Sequence, residues 1–198
     1  MVGDSWTHKA ARVCILPLVN TLVTPNHITV LRLITGLMAC GLLAIGSYES
    51  NLWGGILWLI SAFLDRADGE LARVSGATSE WGHKFDYFSD VTVTALFFIG
   101  IGIGLRDSPL GFWTIFMGFC ASAGVVAAEI LAEIIDQAQK DTGVKAYAGF
   151  VGFDFDDVLY LFAPIVWLDL HFPFLIGASI GAPIFALITW CRLPNGRL

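Results

Sequence analysis

Six apolar stretches, Ile28–Gly46, Leu52–Leu71, Phe85–Leu105, Leu110–Ile130, Val158–Leu170 and Phe172–Cys191, follow one another along the chain with mostly short polar joints between them. An α-helix needs about 20 apolar residues to cross about 30 Å of hydrocarbon, and in lipid only helices and closed barrels satisfy every backbone polar group. The expected fold is therefore an all-α integral membrane protein with six transmembrane helices. With 56% of 198 residues hydrophobic and 14% charged, the chain has more apolar surface than a water-soluble domain of this size hides. The fifth stretch is short and begins among Asp154, Asp156 and Asp157. It is expected to reach the required length by continuing upstream as a polar turn buried in protein.

The length suits a single domain over residues 1–198, with residues 1–23 as an interfacial helix and 24–198 as the six-helix bundle. Near the N-terminus, Trp6, Lys9, Arg12, Val13, Ile15, Leu16, Leu18 and Leu22 mix cations with apolar side chains, as a helix lying in the membrane interface does. Pro17 predicts a bend there. The run lacks the length and the small-residue cleavage site of a secretory signal. Thr24 followed by Pro25 reads as the cap and first residue of the first span. Cys14, Cys40, Cys120 and Cys191 have no C-x-x-C spacing, so they read as buried small apolar residues and not as a metal or redox motif.

Six spans put Lys9, Arg12, Arg32, Arg66, Arg73, Lys84, Lys140, Lys145, Arg192 and Arg197 on or near one side, with Arg106 alone opposing them. Cytoplasmic loops are enriched in Lys and Arg, so both termini and the longer loops are expected in the cytoplasm, with the protein in the cell (inner) membrane if the source is bacterial. The net charge of -6 says less than the positions of the charges do, and no nucleic-acid partner is expected.

The chemistry concentrates in the run Asp65-Arg-Ala-Asp68-Gly69-Glu-Leu-Ala72-Arg73, then, after eight residues, Gly82-His-Lys-Phe-Asp86-Tyr-Phe-Ser-Asp90. At about 100° per residue, Asp65, Asp68, Gly69, Ala72 and Arg73 share an arc of about 140°, and Gly82, Asp86 and Asp90 share about 80° of the next helix. In an antiparallel hairpin the two stripes face each other, gathering four carboxylates at one end of the membrane. Ionised groups at such depth are costly and mark function, and divalent cations relieve their repulsion most simply. All-oxygen ligands point to Mg²⁺ or Mn²⁺. Two ions about 3.5–4 Å apart suit the gripping of a diphosphate and in-line phosphoryl transfer. Gly69, Ala72 and Gly82 leave room for a base or ribose, and Arg73 offers a fork to phosphate oxygens. The competing explanation for the small residues is helix packing.

The pattern D-x-x-D-G-x-x-A-R, eight residues, G-x-x-x-D-x-x-x-D resembles the signature of the CDP-alcohol phosphotransferases, also called CDP-alcohol phosphatidyltransferases, with all eight fixed positions present. The resemblance implies a dimeric six-helix fold with a cytoplasm-facing cavity. It implies that an alcohol hydroxyl attacks the distal phosphorus of a CDP-linked donor and releases CMP. By position, Asp65, Asp68 and Asp86 would hold metal, and Asp90 would take the acceptor proton and also touch a metal. Gly69, Ala72, Arg73 and Gly82 would line the CDP site. The segment Thr24-Pro25-Asn26-His-Ile-Thr29-Val-Leu-Arg32 also looks like the family's entry into its first span. That likeness adds Asn26, Thr29 and Arg32 to the donor side. A guanidinium inside a span needs a partner, either a phosphate or one of the aspartates. The implied partners are CDP-diacylglycerol or another CDP-alcohol, a small alcohol acceptor, membrane lipid and a second copy of the chain.

Other features carry less. Glu129, Glu133 and Asp136 share a helix face and read either as a solvated helix end or as the lining of an acceptor site, as do Asp154, Asp156 and Asp157. An acceptor phosphate calls for converging Arg or Lys forks. Here acids outnumber bases, so an uncharged or amine-bearing alcohol is expected, positioned by Glu129 or Glu133. The opposing case has Lys140 and Arg192 folding inward. Gly100, Gly102 and Gly104 read as a packing face, and Gly177 and Gly181 as a contact of the last helix with a neighbour or with a second subunit, the intramolecular contact being the expected one. The four histidines lack ligand spacing. The rival activities are a membrane prenyltransferase using aspartate-bound Mg²⁺ and a divalent-cation transporter; the first would need more spans, the second acidic groups near mid-membrane.

Overall fold

The computed structural model describes residues 6–139, 147 and 155–193. Its helices are α1 (Trp6–Ile15), α2 (Pro25–Ile45), α3 (Tyr48–Ser75), α4 (Glu80–Gly104), α5 (Trp113–Ala138), α6 (Phe162–Trp167) and α7 (His171–Cys191), with no strand among the described residues. Four of these, α2, α4, α5 and α7, are long and apolar enough to cross a membrane. The 28-residue α3 would reach about 42 Å at 1.5 Å per residue. Its C-terminal half carries Asp65, Arg66, Asp68, Glu70 and Arg73, which makes it too polar to count as a plain hydrophobic span.

The packing order is α2 against α3 and α4, α4 against α5, and α5 against α7, while α1 and α6 both lie on α3. Small residues permit the closest approaches. A Cβ on Gly100 would lie 2.7 Å from the carbonyl oxygen of Cys40 in α2, and one on Gly102 would lie 2.6 Å from that of Thr114 in α5. The glycine run of α4 is thus a packing face on both sides, as its sequence suggests. Gly177 and Gly181 depart from expectation: a Cβ on either would meet nothing within 4 Å. The tight contact of α7 is made instead where Pro183 and Ala182 press on Gly124 of α5. Gly102→Val should therefore lower the thermal midpoint in detergent by about 3–10 °C, the range for overpacking a close backbone contact. Gly177→Val should leave it unchanged, and equal effects of the two substitutions in a thermal melt would refute this account.

The core is aromatic. Trp58, Phe97, Phe98 and Phe162 are buried together, with ring centroids 4.2 Å apart for Trp58 and Phe97 and 4.7 Å for Phe97 and Phe162. Of the cysteines, only Cys40 is buried; Cys120 is half-buried, and Cys14 and Cys191 are exposed. The expectation of buried thiols thus holds at one position of four.

The fifth apolar stretch is not a regular α-helix. Residues Phe155–Leu161 form a 3-10 helix, and only Phe162–Trp167 is α-helical. Pro164 contributes to the break, because it has no N–H to give to the carbonyl of Tyr160 and its ring crowds that carbonyl. The segment runs antiparallel along α3: Tyr160 Oη donates to the Ala62 carbonyl (3.1 Å), Trp58 Nε1 to the Leu159 carbonyl (2.8 Å), and Trp167 Nε1 to the Leu52 carbonyl (3.1 Å).

At the N-terminus, Thr7, Ala11 and Ile15 form the buried face of α1, while Trp6, Val13 and Leu16 are exposed on the other side. The 3-10 turn at Leu16–Leu18 contains Pro17 and ends α1 where a bend was expected.

Candidate functional site

The turn between α3 and α4 aligns the site. Gly76 closes α3 in the left-handed conformation, with φ 69, which only glycine adopts without cost. Ser79 then caps α4 by accepting a hydrogen bond from the Gly82 amide at 3.0 Å. The two helices do not pack on each other as the expected hairpin would; each packs against α2, and the short turn leaves the stripe of α3 and that of α4 to meet only through their carboxylates.

Carboxylate oxygens of Asp65, Asp68 and Asp86 come within 4.8 Å of one another. Two full charges at that distance repel by about 3–4 kcal/mol at an effective dielectric of about 20, so three mutual pairs rival the net stability of a domain, about 5–15 kcal/mol. Arg32 of α2 offsets part of this. Its NH1 lies 3.2 Å from Asp65 and 3.4 Å from Asp86, and its NH2 makes a short contact with Asp90. One guanidinium against four carboxylates leaves a net charge of three minus, a donor set suited to divalent metal. Thr29 Oγ1 donates to Asp68 Oδ2 at 2.7 Å, which fixes the orientation of that carboxylate.

The four aspartates stand between two cavities. The first, about 230 Å³, is lined by Asp68 and Asp86 together with Asn26, Thr29, Gly69, Ala72, Arg73 and Gly82. Six of the seven residues expected on the donor side thus share one cavity. Arg32 departs from them: its guanidinium is placed among the aspartates, the second of the two partners the sequence allowed. The cavity also discriminates between the two explanations for Gly69. A Cβ there would meet only the Arg73 guanidinium, at 3.7 Å or more, so no helix packing demands glycine and the position opens onto the cavity. Gly82 is tighter, since its Cβ would lie 2.9 Å from Ser79 Oγ and 3.1 Å from Asn26 Oδ1.

The second cavity, about 340 Å³, has Asp65 and Asp90 at one end and Glu129, Glu133 and Asp136 of α5 along its wall. Apolar side chains, including Phe98, Val125 and Phe162, make up much of the rest of its lining. The acidic face of α5 thus lines a cavity beside the aspartates and is not merely a solvated helix end. Tyr87 and Tyr147 also line it and were missed in the sequence; Tyr147 bonds Thr189 Oγ1 at 2.7 Å and stacks on Phe185. Lys140, Lys145 and Asp154 lie outside the described residues, as does the side chain of Asp156. Asp157 is not a lining residue: it is buried, accepts a 2.6 Å hydrogen bond from Thr7 Oγ1 and lies 3.7 Å from Arg66 NH2.

The histidines stand outside the aspartate cluster. His27 Nδ1 accepts from the Thr24 amide at 3.2 Å, at the start of α2. His8 meets Glu70, a signature-internal residue whose importance the sequence did not signal: Glu70 is buried and bonded to His8, Arg12 and Arg73.

Residues 22–190 match the family model for CDP-alcohol phosphatidyltransferase, and the chain belongs to that family. Membership sets aside the prenyltransferase and transporter alternatives. Among curated relatives, the "Bifunctional IPC transferase and DIPP synthase" of Aquifex aeolicus is 34% identical over 111 residues, covering 54% of this chain and 25% of that protein. The "Archaetidylinositol phosphate synthase" of Pyrococcus horikoshii is 34% identical over 86 residues, covering 41% of this chain and 42% of that one. The chain thus spans less than half the length of either. The crystal structure of Mycobacterium tuberculosis phosphatidylinositol phosphate synthase with CDP-DAG bound is similar in fold, with a TM-score of 0.58 at 20% identity over 94% of this chain and 88% of that one. A second structure of that enzyme, in complex with manganese and citrate, has the same score, covering 93% and 83%.

Proposed function

We infer that this protein transfers a phospho-alcohol group, phosphatidyl when the donor is CDP-diacylglycerol, from a CDP-linked donor to a hydroxyl acceptor, releasing CMP in phospholipid synthesis. The observation that carries this reading is the aspartate cluster standing between two cavities, one lined by the small residues and arginine of the signature and the other by Asp90. The CDP-DAG bound to the Mycobacterium tuberculosis neighbour supports the same donor class here.

On this reading, Asn26, Gly69, Ala72 and Gly82 accommodate the cytidine end of the donor, and Arg73 pairs with its phosphate oxygens. Asp65, Asp68 and Asp86 hold divalent metal, Mg²⁺ or Mn²⁺, as two ions if Asp90 also contributes a ligand. Such metal supplies charge neutralisation to the diphosphate and to the departing CMP. Thr29 keeps Asp68 turned inward, and Arg32 steadies Asp65, Asp86 and Asp90. The acceptor oxygen forms a bond to the distal phosphorus as the bond from that phosphorus to the CMP oxygen breaks, and its proton passes to the Asp90 carboxylate.

The same reading has one domain over 1–198, with α1 lying in the membrane interface and six crossings in which α3 and the segment 155–167 act as polar-ended, protein-packed passes. The alternation of α2, α3, α4 and α5, and the antiparallel run of 155–167 along α3, support it. Arg12, Arg66, Arg73 and Lys84 gather at the aspartate end and Arg106 at the other, so the site and both chain ends face the cytoplasm. A homodimer belongs to this reading as well.

The acceptor is an uncharged or amine-bearing alcohol, because the charged side chains lining the second cavity among the described residues are all acidic. Glu129 and Glu133 would position it. One observation favours a second reading: relatives and neighbour carry names of inositol phosphate products, for which Lys140 would meet an acceptor phosphate. Purified protein with CDP-diacylglycerol and Mg²⁺ is expected to release CMP faster with serine, ethanolamine or choline than with glycerol 3-phosphate or inositol phosphate. A preference for either phosphorylated compound sinks the acceptor assignment, and no CMP with any acceptor sinks the transferase reading.

A further inference from the structure

Glu70 occupies a variable position of the signature, yet its side chain is 1% exposed. A buried carboxylate persists only when its lone pairs are filled and its charge is matched. Three groups do this: Arg73 NH2 donates to Oε1 at 2.6 Å, Arg12 Nε donates to Oε2 at 2.8 Å, and His8 Nδ1 lies 3.0 Å from Oε1. Two of the three come from α1, so the end of α3 that faces the donor cavity is completed by a separate helix.

The imidazole geometry is self-consistent. The Glu70 carboxylate can only accept, so the Nδ1 atom 3.0 Å from it carries the proton, which leaves Nε2 to accept from Arg66 NH1 at 3.4 Å. The 3.2 Å approach of Arg73 NH2 to Nδ1 is then a contact and not a second bond, and Arg73 is held by Glu70.

Arg73 itself is half-exposed, and its guanidinium lies over Gly69 in the donor cavity. Left alone, such a side chain would sample many rotamers, and ordering it on donor binding would cost affinity. With NH2 pinned to a buried carboxylate, the remaining donors point the same way before substrate arrives. An exposed i,i+3 ion pair would hold nothing in place; burial of Glu70 and its two bonds to α1 make this one rigid.

We propose that Glu70, locked by His8 and Arg12 of α1, is a positioning residue that presents the Arg73 guanidinium to the diphosphate of the CDP-linked donor, so that the seating of α1 sets donor affinity. This rests on the donor-site reading of Arg73 given above. Two measurements test it: steady-state CMP release, and CDP binding followed by thermal shift in detergent, which needs no turnover. Glu70→Gln should raise the donor KM and the CDP dissociation constant about tenfold, with kcat and acceptor KM within about twofold. Arg12→Ala, which leaves the buried carboxylate in place, should give a smaller change in the same direction, and Arg12→Lys should recover part of it. In an Arg73→Ala background, Glu70→Gln should add nothing to the loss of CDP affinity.

An equal further loss in that background, or unchanged CDP affinity in Glu70→Gln, overturns the proposal. If Arg73→Ala itself leaves CDP affinity unchanged, the donor-site reading falls, and the proposal with it. If Glu70→Gln does not fold, the Arg12 pair decides by the same criteria.

Discussion

Replacing Asp65, Asp68 or Asp86 by Asn is expected to reduce CMP release below about 1% of the wild-type rate at ordinary Mg²⁺, as loss of an essential charged ligand does. The fold should not suffer. The three carboxylates have ligand atoms within 4.8 Å of one another and one positive neighbour, Arg32; removing a charge relieves repulsion of about 3–4 kcal/mol per pair. Asn at position 68 can still accept the hydrogen bond that Thr29 gives to the aspartate. Without metal, then, each variant should melt at or above the wild-type temperature. Added Mn²⁺ or Mg²⁺ should raise the wild-type midpoint and leave the variants where they were, because a ligand stabilises only the state that binds it. Near-normal CMP release, or an undiminished metal-induced shift, would remove that residue from the ligand set. A variant that melts lower without metal would mean the carboxylate is held by a structural partner.

The aspartate site was legible because it rests on local geometry. Helical spacing puts Asp65, Asp68, Gly69, Ala72 and Arg73 on one face and Gly82, Asp86 and Asp90 on another, and the short joint closed by Gly76 and Ser79 keeps the two ends near each other, although both helices pack on α2 and not on one another. The glycine run of α4 was legible for the same reason, since small residues at alternate positions permit close approach whatever the partner. The acidic face of α5 was half legible: periodicity grouped Glu129, Glu133 and Asp136, but only packing put them in the wall of a cavity.

What escaped depends on contacts between distant parts of the chain. Glu70 meets Arg12 across 58 positions, and nothing in either neighbourhood announces the pairing. Asp157 looked like part of an acidic helix start and is instead bonded to Thr7, 150 positions away. The fifth stretch carried a readable signal, Pro164, whose missing N–H disfavours α-helix upstream of Phe162; hydropathy alone does not register it. Gly177 and Gly181 show the converse. Small-residue spacing states that a close approach is possible, and the approach on α7 occurs at Pro183, against Gly124.

Asp90 is expected to behave differently from the other three aspartates. It stands outside the group formed by Asp65, Asp68 and Asp86 and, with Asp65, lines the cavity that contains Glu129 and Glu133, while Asp68 and Asp86 line the one that contains Arg73, so on the proposed reading its carboxylate stands on the acceptor side of the reacting phosphorus. A general base must lie within hydrogen-bond reach of the proton it takes, and this is the side from which an acceptor hydroxyl arrives. Asn at position 90 keeps the size of the side chain and an oxygen for Arg32, which also retains Asp65 and Asp86, so the donor cavity should be little altered. Turnover should fall about 10²-fold, the ordinary contribution of a positioned base, equivalent to about 2.7 kcal/mol in the barrier. CDP affinity by thermal shift and the donor KM should stay within about threefold of wild type. If affinity for CDP falls in step with the rate, Asp90 serves chiefly as a metal ligand and the proton leaves by another group. Glu129 is then the carboxylate to test next, since it lines the same cavity.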